Sequence, residues 1–76
     1  MPSSPRRAAF GARVRELRES QGWSQEDFGH RAELDRTYVS GIERGVRNPT
    51  LDVIHRLADA LGVEVAEMFR REQRRH

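Results

Sequence analysis

Residues 24–49 read SQEDFGHRAELDRTYVSGIERGVRNP, and the same helix-start grammar occurs twice within them. Ser24 is a side-chain acceptor suited to an orphan amide, and Asp27 three positions later can return the bond as a short-armed capping box. Trp23 and Phe28 stand where a hydrophobic staple would, which makes Trp23 a core residue rather than a platform for stacking. Asp35 then repeats the cap, with Leu34 placed to staple onto Val39, and Gly45 lies where a left-handed C-terminal cap belongs. The pattern predicts helices over Gln25–Ala32 and Arg36–Arg44, joined by a tight turn.

Outward from this stretch, Pro5 suits the first turn of a helix carrying Phe10, Val14 and Leu17 at helical spacing and ending around Gln21 and Gly22. Downstream, Thr50 is another N-cap, followed by Leu51, Ile54, Leu57, Ala58 and Leu61, and Gly62 closes that helix. A last short helix at about 64–71 offers Val65, Met68 and Phe69. Ser3, Ser4 and the final residues are expected to fray. No alternating apolar run suggests a strand, so the fold class is all-α: a bundle of five short helices in one domain over 1–76, its central motif at about 24–45.

Composition narrows the function classes. A chain of 76 residues hides only about 60% of the surface its unfolded form exposes, so added stability is expected from self-association. There is no cysteine, and His30, His55 and His76 are too scattered for a zinc pattern, so neither disulfide nor metal is expected. The N-terminus lacks a signal-type apolar core and no run is long enough for a membrane span, which predicts a cytoplasmic protein without membrane contact. All the basic side chains are arginine and the formal net charge is only +2, so placement matters more than balance. Arg6, Arg7, Arg13, Arg15 and Arg18 crowd one end, and Arg70, Arg71, Arg74 and Arg75 the other; such runs suit solvated faces and DNA contact equally.

The two central helices form a helix-turn-helix whose second element can enter a major groove. Val39 and Ile42 point one way with Leu34, while Arg36, Thr37, Ser40, Gly41 and Arg44 fall on the opposite, wet face. Arginine can bond the O6/N7 edge of guanine bidentately, and threonine offers a hydroxyl and a methyl to thymine. Ser40 and Gly41 are small enough to let the backbone come close.

The stretch Ser24 to Pro49 resembles the Xre or lambda-repressor-like helix-turn-helix proteins, and Thr50 to Val63 is similar to the helix that follows in them. Within that family the run LDRTYVSGIERG is most similar to the controller proteins of restriction-modification systems, small dimers acting on their own operators. The resemblance implies that Gln25, Tyr38, Arg47 and Asn48 meet the DNA backbone, that Arg36, Thr37 and Ser40 face bases, and that Arg18 and Glu43 pair between the first and third helices. Tyr38 could equally be a half-buried ring supporting the turn. The chain departs from the family at Gly29, where alanine is frequent, and at Glu33, where glycine is usual. A left-handed conformation at Glu33 costs about 1 kcal/mol.

These readings predict a homodimer on a pseudo-palindromic site in double-stranded DNA, with no cofactor and no small-molecule ligand. Its interface is expected at Val65, Met68 and Phe69, apolar positions with little chain beyond to cover them. A protein-interaction module on the same fold, with arginines serving only solubility, is the alternative. Nothing assembles a nucleophile, a base and an orienting group, so no enzyme is expected.

Overall fold

The structure, a computed structural model, describes residues 4–70 and consists there of helices joined by short connections. Arg71, Arg74, Arg75 and His76 lie outside the described residues. Helix α1 spans Pro5–Ser20 with proline in its first turn. Ser4 does not fray but caps it, its hydroxyl accepting from the Arg7 N–H at 3.0 Å.

Helix α2 covers Gln25–Ala32 and begins in a reciprocal capping box. The Ser24 hydroxyl accepts from the Asp27 N–H at 3.0 Å, and the Asp27 carboxylate accepts from the Ser24 N–H at 3.2 Å. The Ser24 N–H foremost, and the Ser24 hydroxyl after it, hold the Asp27 carboxyl below its ordinary range. The Trp23 and Phe28 rings stack with centroids 6.0 Å apart, and the guanidinium of Arg31 lies 4.3 Å from the Trp23 ring. Glu33 ends α2 in the left-handed region at φ 59°, a conformation that costs a side-chain-bearing residue about 1 kcal/mol. The turn persists because Leu34 N–H donates to the Gly29 carbonyl at 2.8 Å. That approach explains the glycine: a Cβ at Gly29 would stand 2.6 Å from the Leu34 oxygen.

Helix α3 is Arg36–Glu43, ending at Arg44, with Gly45 following at φ 78°. Helix α4 is Leu51–Leu61; the Thr50 hydroxyl accepts from the Val53 N–H at 3.2 Å and Gly62 turns left-handed at φ 72°. Helix α5 is Val65–Met68, shorter than the expected 64–71, with no side-chain cap at Glu64 and Phe69 already outside helical geometry.

Each helix contributes to one core: Phe10 and Val14, Phe28 and Ala32, Val39 and Ile42, Leu57 with Ala58 and Leu61, and Met68. Helix α3 sits between α1 and α2, α2 also packs on α4, and α5 closes against α4 and α1. Met68 corrects the expected dimer patch. It is fully enclosed, 0% exposed, and has no surface to offer a partner, because the α5 turn points it inward while Phe69 stays outside.

Candidate nucleic-acid interface

Helix α3 buries Val39 and Ile42 and leaves Arg36, Thr37 and Arg44 exposed, with Ser40 half-buried between them. Its first turn is set by Asp35, whose carboxylate accepts from the Thr37 N–H at 3.0 Å and from the Thr37 hydroxyl. These two donors, the hydroxyl first, hold the Asp35 carboxyl below its usual range. The Thr37 hydroxyl proton is thereby engaged in the free protein. Its oxygen lone pairs and its methyl remain as free chemistry. Among the described residues neither Arg36 nor Arg44 has a carboxylate within ion-pair distance; Arg44 Nε reaches only the Ser40 hydroxyl, at 3.4 Å.

Beyond Gly45 the chain doubles back over α3. The Gly41 carbonyl accepts from the N–H groups of Val46 at 3.0 Å and Arg47 at 3.3 Å. Arg47 then lays its side chain across Gly41, where a Cβ would meet Arg47 Cγ at 2.6 Å. Gly41 is therefore buried beneath the loop rather than part of the open face expected from helical spacing. The Arg47 guanidinium ends 5.3 Å from the Tyr38 ring centroid, so Tyr38 is a half-buried support for an arginine. Arg47 and Asn48 are both exposed.

Behind this face lies a closed polar junction. Arg18 grips Glu43 with both arms of its fork, Nε to Oε2 at 2.6 Å and Nη2 to Oε1 at 3.0 Å, while Nη1 donates to the Trp23 carbonyl at 2.7 Å. The side chains are 10% and 3% exposed, and the hydrogen bonds to Glu43 raise the Arg18 pKa against the opposing effect of burial. Gln25 joins them, its amide donating to Glu43 Oε1 at 3.0 Å. The residue expected at the DNA backbone thus has one amide hydrogen committed inside the protein. Gly11 is the residue sequence reasoning missed. A Cβ there would stand 2.6 Å from the Glu43 carbonyl oxygen and closer still to that of Ile42, so only glycine lets α1 cross the end of α3. A lone glycine inside a periodic helix signals close approach but not what approaches.

Two short helices meeting at a left-handed turn, the second presenting unpaired arginines above a fixed polar junction, define a helix-turn-helix protein. The chain belongs to the helix-turn-helix family HTH_3, whose pattern it matches over residues 14–68. It is 44% identical over 64 residues to the control protein C.BamHI of Bacillus amyloliquefaciens, covering 83% of this chain and 79% of that one. The crystal structure of the restriction-modification controller protein C.AhdI from Aeromonas hydrophila superimposes with a TM-score of 0.82 at 49% identity, over 83% of this chain and 96% of that one. The controller protein C.Esp1396I, solved as a tetramer in complex with its natural 35 base-pair operator, matches with a TM-score of 0.80 at 33% identity over 88% of each chain. Among the described residues no helix is long and apolar enough to cross a membrane.

Proposed function

We propose that this helix-turn-helix regulator binds operator DNA as a homodimer, each protomer laying α3 in a major groove, and serves as a controller protein. The observation that carries the reading is the exposed face of α3, where Arg36 and Arg44 have no carboxylate partner among the described residues. An arginine in that state is free to fork onto a guanine edge or a phosphate. Arg36, Thr37 and Ser40 read bases. Gln25, Tyr38, Arg47 and Asn48 hold the backbone, Tyr38 by supporting the Arg47 guanidinium. The relative crystallised on its operator supports operator binding by this fold.

Dimerisation uses the C-terminal end, where Phe69 is 60% exposed and Val65 half-buried, without Met68. Two reading helices would then lie about 34 Å apart. The protein works in the bacterial cytoplasm, on the nucleoid, and no catalytic step belongs to its action. Selection of genomic fragments by the purified protein tests the reading: it should enrich a pseudo-palindrome with half-sites about one helical turn apart. No enrichment over random fragments rejects it. Methyltransferase and endonuclease genes beside its own would support the controller role. Phe69→Asp should sediment as a monomer with its helicity kept, and a variant that stays dimeric places the interface elsewhere.

A further inference from the structure

The arginines of α1 divide into two sets. Arg13 pairs with Glu16 at 2.8 Å and Glu67 at 3.2 Å, Arg15 with Glu19 at 3.0 Å, and Arg18 with Glu43 at 2.6 Å. Arg6 and Arg7 pair with no carboxylate among the described residues, and the first turn of α1 contains no acidic residue. Both line a cleft with Ser4 and Pro5 on one side and Asn48, from the α3–α4 loop, on the other. Arg7 Nε is buried and, among the described residues, has no hydrogen-bond partner. An N–H of a charged group left in that state is costly, and an acceptor arriving from outside removes the cost.

We infer that Arg6, Arg7 and Asn48 hold a DNA phosphate outside the stretch read by α3, making the first turn of α1 a second backbone anchor. The inference rests on the regulator reading and extends it from Asn48 to Arg6 and Arg7, to which the resemblance assigns no role. DNA is favoured as the source of the phosphate because the α3–α4 loop links the cleft to the reading face. Asn48 follows Arg47, which itself lies over Tyr38 and Gly41 of α3. Unpaired cationic side chains therefore run from Arg36 through Arg47 to Arg7 and Arg6 with no acidic residue in the α3–α4 loop. Asn48 supplies a neutral donor that can bond the same phosphate without another charge.

The test compares wild type with Arg7→Gln, Arg6→Gln and Arg15→Gln, each binding a duplex of arbitrary sequence about three helical turns long, followed by fluorescence anisotropy across a salt series. Arg15→Gln removes the same charge from the same helix, but from an exposed side chain already paired with Glu19. Arg7→Gln should bind several-fold more weakly and flatten the plot of log affinity against log salt by up to about 0.9, whereas Arg15→Gln keeps the wild-type slope. Arg6 is exposed, so Arg6→Gln gives the same reading even if Arg7→Gln perturbs the fold. Wild-type binding with equal slopes in all three variants overturns the anchor while leaving the α3 assignment standing. A wild-type protein with no salt-dependent binding overturns both.

Discussion

The junction between α1 and α3 and the outer face of α3 are built from the same residue type, used in opposite ways. At the junction Arg18 is nearly buried, and its guanidinium is satisfied by Glu43 and the Trp23 carbonyl. On the outer face Arg36 and Arg44 have no carboxylate partner among the described residues, and Arg47 rests on a tyrosine ring. A desolvated arginine whose donors are all matched fixes geometry and has nothing left for a ligand. An exposed arginine with free donors contributes little to stability and keeps its capacity for phosphate or guanine. Charge count therefore says less about DNA binding than which cations lack an internal partner.

The largest effect is expected from Glu43→Ala, which leaves the nearly buried Arg18 guanidinium with only the Trp23 carbonyl and the distant Glu19 carboxylate, and releases the Gln25 amide. A loss of about 3–5 kcal/mol in urea unfolding is expected, with operator preference unchanged in whatever fraction stays folded. Unchanged stability would show that the junction does not hold the fold. Gly11→Ala comes next. Alanine improves helix propensity by up to about 1 kcal/mol, but overlap with the α3 backbone carbonyls costs about 3 kcal/mol, so a net loss of about 2 kcal/mol should appear as a lower Tm. A Gly11→Ala variant as stable as wild type would mean that α1 can stand further from α3.

Arg47→Ala sharpens the other side. Stability should move little, within about 0.5 kcal/mol, while binding weakens on all sequences alike and the salt slope falls by about 0.9. A large fall in stability would assign Arg47 to the fold. The smallest effect concerns the cap of α3. The Asp35 carboxyl is held below its ordinary value, so the stability it confers is present above the unfolded value of about 3.9 and is lost as pH falls through the lower folded value. Asp35→Asn keeps an acceptor without the titration. Its stability should therefore approach that of wild type in acid, and a gap that stays constant with pH would assign the effect to something other than ionisation.

Much of the scaffold was legible because its signals are local. Ser24 with Asp27, Asp35, Thr50, Gly45 and Gly62 mark helix ends by bonds and backbone angles spanning four residues or fewer. The candidate face was legible in part: helical spacing separates Val39 and Ile42 from Arg36, Thr37 and Ser40. It misplaces Gly41 because the cover comes from Arg47 in a loop whose path no periodicity encodes. The inward turn of Met68 is illegible for the same kind of reason, since a helix of one turn carries too little pattern to say which side meets the core. The Arg18–Glu43 bond joins positions far apart in the chain, so only resemblance points to it, and nothing local in the sequence signals its Gln25 arm.

Whether α3 is the reading element is decided by the affinity of wild type and Arg36→Ala for the selected operator and for a complete set of its single-base variants. Arg36→Ala should lose about 1–3 kcal/mol on the preferred site and become indifferent at one base pair per half-site, with a smaller loss on random DNA. Full base preference retained by Arg36→Ala, together with its loss in Arg47→Ala, would contradict the assignment and move sequence reading to the α3–α4 loop.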